Sequence, residues 1–161
     1  MFTGLAVSVA FHARLFNIGG EGQAMLGGLG VGIAALYIPW AHWTVALLGC
    51  SLMAAIFGAL WAYIPAVLQA KRGSHIVITT IMFNFIAAGL MVSLLNGPLI
   101  KPGQSAATTR AFAESAHVPA VHEVLAMLGV ETARSPLNLS IVLAAFACIF
   151  VWLLIWRTRF G

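Results

Sequence analysis

The sequence predicts an all-α, polytopic transmembrane fold, and three observations carry that prediction. First, 61% of the 161 residues are hydrophobic and only 7% are charged. A soluble domain carries about 25% charged residues, so too few remain here to coat a water-facing globule. Second, the apolar residues fall in continuous runs, several close to the roughly 20 residues a helix needs to cross a bilayer. Third, the alternating segments of ~10 residues that build an outer-membrane barrel are absent. A mean hydropathy of +1.00 agrees with this class.

Residues 1–13 are apolar but too short to cross alone, and read as the tail of a helix whose beginning lies outside the chain. A polar stretch follows over residues 14–23, and within it stands Phe16-Asn17-Ile18-Gly19-Gly20-Glu21-Gly22-Gln23. Residues 24–38 are apolar again, short, and rich in glycine (Gly27, Gly28, Gly30, Gly32). Together residues 1–38 are expected to form a broken-helix or re-entrant region. Residues 39–43, Pro-Trp-Ala-His-Trp, are a turn whose two tryptophans suit a membrane interface.

Three full spans are then expected. Residues 44–70 would reach about 40 Å as a helix, enough to cross with tilt. Pro65 predicts a kink near the end of that span or the start of its exit, and Lys71-Arg72-Gly73 closes it. Residues 76–95 form the next span, ended by Asn96-Gly97-Pro98, and residues 137–156 form the last, followed by Arg157 and Arg159. Between these two lies a linker, residues 96–136, in which Lys101, Arg110 and Arg134 balance Glu114, Glu123 and Glu131. Val121, Val124, Leu125 and Leu128 recur there at helical spacing, between Pro119 and Gly129. They predict a short amphipathic helix on the membrane surface or against the spans.

Charge placement sets the expected orientation. The formal net charge is +4, and the basic residues sit beside span ends, where they direct topology rather than bind nucleic acid. Lys71/Arg72 and Arg157/Arg159 fall on one side, expected to be cytoplasmic. The turn at 39–43 and the long linker fall on the other. Cys50 and Cys148 lie in apolar runs with no metal-spaced neighbour, so buried free thiols are expected. The first residues lack the basic leader of a cleavable signal.

The polar break is the most informative feature. A break within a membrane span is costly unless it lines a cavity or meets a solute. Asn17, Glu21 and Gln23 offer donors and acceptors, and Gly19, Gly20 and Gly22 admit unusual backbone shapes. A carboxylate at bilayer centre costs about 2.5–3.5 kcal/mol on insertion scales. Glu21 therefore lines a solute path, or it pairs with Arg14 to pin two helix halves. Gly28-x-x-x-Gly32, helped by Gly27 and Gly30, suits close helix packing. Thr80 and Asn84, four apart, share a helix face and serve either as packing glue or as path lining. The five histidines are scattered, and no metal site is expected. No Gly-x-x-x-x-Gly-Lys-Ser/Thr loop occurs, so any ATP hydrolysis would belong to another polypeptide. No catalytic set or cofactor site is recognisable. An ion-coupled secondary carrier or a membrane-embedded enzyme using Glu21 and a histidine are the alternatives to an ATP-driven path.

Several stretches together suggest a family: residues 3–7 (Thr-Gly-Leu-Ala-Val) leading to residues 16–23; residues 60–73; residues 78–87 (Ile-Thr-Thr-Ile-Met-Phe-Asn-Phe-Ile-Ala); and residues 156–161. The chain resembles the permease subunits of bacterial ATP-binding-cassette importers for nucleosides and simple sugars. The wider group includes ribose and branched-chain amino-acid permeases. The resemblance implies a multi-pass permease of the plasma membrane working by alternating access. Its implied partners are a second permease subunit, separate ATPase subunits, and a periplasmic or lipid-anchored solute-binding protein. It places Asn17 to Gln23 near the path, and makes Lys71, Arg72, Gly73, Ser74 and His75 a cytoplasmic loop facing the ATPase. The chain departs from the pattern in having Ser74-His75 where many relatives carry Asn-Glu. It also departs in where it starts and stops, so it is expected to be an internal or truncated piece.

Overall fold

The computed structural model describes residues 1–103, 106, 108–127, 129, 133 and 137–158. Among the described residues six α-helices follow one another: α1 (Phe2–His12), α2 (Gly20–Tyr37), α3 (Trp43–Arg72), α4 (Ile76–Asn96), α5 (Val121–Met127) and α6 (Ser140–Arg157). A short 3-10 turn, Glu114–Ala116, precedes α5. Among the described residues, α3, α4 and α6 are long and apolar enough to cross a membrane. The protein is thus a polytopic helical membrane protein. Leu128, Glu131, Arg134 and Arg159, named above for the linker helix and the charge balance, lie outside the described residues.

Helix α2 sits at the centre. It packs most extensively on α3 and then on α4, while α1 and α6 lean on each other. Leu26 and Leu29 of α2 and Ala87 of α4 form the buried core, with Phe57 and Trp61 of α3 and Met91 and Leu94 of α4 around them. The backbones of α2 and α3 approach closely at two glycines. A Cβ on Gly30 would stand 2.7 Å from the Met53 carbonyl oxygen, and one on Gly27 would stand 3.4 Å from that of Ala54. A Cβ on Gly28 or Gly32 would meet no described atom within 4 Å. The small-residue seam on α3 is therefore Gly27 and Gly30, while Gly28 and Gly32, on the other side of the helix, point elsewhere.

Two local features differ from the sequence-based expectation. Pro65 does not begin an exit: it is buried, and α3 continues to Arg72. The helix ends at Gly73, whose φ of 64° is the left-handed cap conformation; its N–H donates to the Gln69 carbonyl at 3.1 Å, and that of Ser74 to Leu68 at 3.4 Å. Such a doubly bonded cap favours glycine, because only glycine takes that φ without a Cβ clash. The thiols of Cys50 and Cys148 are free but half-buried rather than buried.

The linker folds back over the far end of α2. The Arg110 guanidinium lies 5.7 Å from the centre of the Tyr37 ring. Trp40 Nε1 donates to the Ala34 carbonyl at 3.1 Å, and its ring fills the space a Cβ on Gly49 would need. At the start of α5, the Ala120 N–H donates to Glu123 at 3.0 Å, one arm of a capping box.

Candidate functional site

The chain leaves helical geometry after His12 and regains it at Gly20. The break is thus shorter than the polar composition suggests: Glu21, Gly22 and Gln23 form the first turn of α2. Arg14 carries the exit turn at φ 57°, in the left-handed region. A helix start leaves its first N–H groups without intrahelical acceptors. Here a neighbouring helix supplies one of them. Asn84 Oδ1 accepts from the Gly22 N–H at 2.9 Å, and Asn84 Nδ2 donates to the Ile18 carbonyl at 3.0 Å. One amide side chain of α4 thereby caps α2 and holds the segment before it.

Thr80, one turn earlier on the same face, completes the clamp. It is fully buried. Its hydroxyl accepts from the Ile18 N–H at 3.3 Å and donates to the Ile76 carbonyl at 2.8 Å, with the Val77 carbonyl at 3.1 Å as a second acceptor. Inside the break, Asn17 Oδ1 accepts from the Gly19 N–H at 2.8 Å. The clamp needs glycine at its centre. A Cβ on Gly22 would lie 2.9 Å from Asn84 Oδ1 and 3.0 Å from Trp61 Nε1, and one on Gly19 would lie 3.3 Å from the Thr80 Cβ. Trp61 Nε1 is buried with no acceptor among the described residues, and its ring meets Phe83 edge-on with centroids 5.4 Å apart.

The two halves of the broken helix are therefore pinned by Thr80 and Asn84, not by an ion pair. Arg14 and Glu21 are both exposed and form no salt bridge with each other. Thr80 and Asn84 lie in the first three turns of α4, roughly 6 and 12 Å from its start. The break accordingly sits toward the end of the bundle that carries Lys71 and Arg72.

On the other side of the break a cavity of about 790 Å³ opens between α1 and the start of α2. Thr3, Val7 and Phe11 line it from one face of α1, Phe16, Asn17 and Ile18 from the break, and Glu21 from α2. Of the five residues expected to line a path, Asn17 and Glu21 reach this cavity. Thr80 and Asn84 face the opposite side of the break, their polar atoms committed to backbone. Gln23 also lies outside the lining, its amide beside Gly19. The sequence-based reading placed Thr3 and Val7 in a stretch that carries the family resemblance, but named none of Thr3, Val7 and Phe11 as path lining. Their repeated four-residue spacing on an apolar helix is the signal that could have grouped them. Lys71 and Arg72 are exposed at the end of α3, and Gly73 to His75 form the short turn into α4.

Comparison with known proteins gives this geometry a context. Over its whole length the chain is 33% identical to the guanosine ABC transporter permease protein of Bacillus subtilis, of which it covers 44%. It is 31% identical, again over its whole length, to the glucose ABC transporter permease protein of Haloferax volcanii, covering 42% of that protein. A shorter match, 37% identical over 86 residues, joins it to the nucleoside ABC transporter permease protein of Lactococcus lactis, covering 53% of this chain and 24% of that one. The chain thus spans less than half the length of the curated relatives it matches. No solved structure matches it. The model of the family described as branched-chain amino acid transport system / permease component matches residues 1–161. The chain is therefore a multi-pass segment of a plasma-membrane protein, and it belongs to that permease family.

Proposed function

We propose that this chain forms part of the membrane path of an ATP-binding-cassette importer for nucleosides or simple sugars, working by alternating access. The single observation that carries the proposal is the clamped break. Thr80 and Asn84 satisfy the backbone of residues 18–22 from one side. The Glu21 carboxylate and Asn17 stand at a cavity on the other. An interrupted helix at membrane depth is stable only where its polar groups are met by protein or by a polar cavity, and Thr80 and Asn84 meet the Ile18 N–H, the Ile18 carbonyl and the Gly22 N–H here.

The names of the relatives support the solute class, and the family supports the division of labour. The chain would act as a transport subunit, not an enzyme. Separate ATPase subunits would hydrolyse ATP, a second permease subunit would complete the path, and a solute-binding protein would deliver cargo from outside. Lys71 to His75 would face the ATPase, and residues 96–136 would lie outside the membrane. Asn17 and Glu21 would meet the solute; Thr80 and Asn84 would keep them in place.

The test is uptake by the complete importer in proteoliposomes, with labelled adenosine and labelled ribose as probes. ATP-dependent uptake of at least one is expected, with Glu21→Gln lowering it about tenfold, the loss of roughly one hydrogen bond to a charged group. Uptake that persists without the ATPase and follows an ion gradient would instead identify a secondary carrier.

A further inference from the structure

A smaller cavity, of about 160 Å³, lies at the opposite end of α2 from the break, and the transport proposal leaves it unused. Leu36 and Tyr37 line it from the last turn of α2, Leu99 and Ile100 from the segment after α4, and Arg110 from the linker. Helix α3 begins at Trp43 and α4 ends at Asn96, and both helices are long and apolar enough to cross a membrane. The pocket is therefore built within a few residues of two span ends. Trp40 and Trp43, nearby in the chain, are of the residue type that gathers at the headgroup level of a bilayer.

Charge in this pocket is of one sign. The Arg110 guanidinium, 5.7 Å from the centre of the Tyr37 ring, makes a contact that draws on its charge and not on its N–H donors. Arg110 is exposed and forms no salt bridge among the described residues. Lys101, between the lining residues Ile100 and Pro102, is likewise exposed and without a salt bridge. No carboxylate belongs to the lining among the described residues. Leu36, Leu99 and Ile100 make the rest of the wall apolar, and exposed apolar surface continues at Tyr37 and Ile38, 59% and 42% exposed. A guanidinium fork beside an apolar wall suits an anionic amphiphile: the phosphate takes paired N–H donors, and the first methylene groups cover the wall. A free anion would leave that wall uncovered, and a zwitterionic headgroup would bring a cation of its own toward Arg110 and Lys101. We propose that this pocket binds the headgroup of an anionic phospholipid, which ties the linker to the end of α2 at the membrane surface. The site is separate from the solute path and does not depend on what the path carries.

The experiment reconstitutes the complete permease in nanodiscs of equal phosphatidylglycerol and phosphatidylcholine, releases it into mild detergent, and counts retained lipid by native mass spectrometry. The unaltered protein is expected to retain phosphatidylglycerol in preference to phosphatidylcholine. Arg110→Ala should lower that retention about tenfold, the worth of one hydrogen bond to a charged group. Arg110→Lys, which keeps the charge and loses the fork, should fall between the two. Equal retention of both lipids by the unaltered protein, or phosphatidylglycerol retention unchanged in Arg110→Ala, overturns the proposal. Inorganic phosphate that displaces the lipid as readily as soluble phosphatidylglycerol does would make this a phosphate site and overturn the lipid assignment. So would an Arg110→Ala protein that keeps its lipid and loses binding of the solute-binding protein, which would give the pocket to a protein partner. Because the readout is retained lipid, a failure here leaves ATP-driven uptake untouched, and a failure of uptake leaves this site standing.

Discussion

The two ends of α2 are secured by different physics. At Gly20 the helix is held by hydrogen bonds from α4, through Asn84 and Thr80, to its own first turn and to the segment before it. At Tyr37 it is held by aromatic groups, with Trp40 bonded to the Ala34 carbonyl and Arg110 over the Tyr37 ring. At the first end the partners are backbone groups of a helix start, which has no intrahelical acceptors to fall back on. At the second they are a tryptophan and an arginine packed on the helix's last turn.

Asn84→Leu should break this contrast most sharply. It removes the acceptor of the Gly22 N–H and the donor to the Ile18 carbonyl at once. An unsatisfied buried polar group costs about 1–3 kcal/mol, so a loss of about 2–4 kcal/mol is expected, read as a lower unfolding temperature in detergent. Uptake should fall with it, because Asn17 and Glu21 lose their footing. A variant as stable as the parent would show that the clamp contributes little.

A smaller effect is expected between these two ends, along the seam with α3. A Cβ on Gly30 would press on the Met53 carbonyl oxygen and the Phe57 ring, whereas one on Gly28 meets open space. Gly30→Ala should destabilise by about 1–3 kcal/mol through overpacking. Gly28→Ala should be neutral or stabilise by up to ~1 kcal/mol through helix propensity. Unfolding measured side by side decides it; the reverse order would mean that α2 is rotated from the position described.

The least costly change is expected at the aromatic end. Arg110→Ala removes a cation–π contact worth about 0.5–1 kcal/mol at an exposed site. Its effect should show as faster proteolysis of the linker, with the global unfolding temperature little changed. A drop comparable to that of Asn84→Leu would erase the distinction between the two ends.

Much of this architecture could be read along the chain, because its determinants are local. The apolar runs that became α3, α4 and α6 are visible as composition, and Gly73 marks the end of α3. Helical spacing of Val121, Val124 and Leu125 anticipates α5. The polar break is visible as well, but its extent is not. Glu21 to Gln23 look like a continuation of the loop, and they become helix because an acceptor for the Gly22 N–H arrives from a residue 62 positions away. At Pro65 the residue type alone left a kink and an exit both open, and only the structure shows the residue buried with α3 continuing to Arg72.

What the sequence determined by itself is the class of molecule, its membrane helices and the place where one of them is interrupted, since hydropathy and glycine content act within a few turns. Only the tertiary structure decided which side of the break each polar residue serves. Thr80 and Asn84 are spent on backbone and Asn17 and Glu21 remain for the cavity, because a hydrogen bond is allotted by distance in space. That distance is set by how α2 packs on α3 and α4, and no spacing along the chain records it.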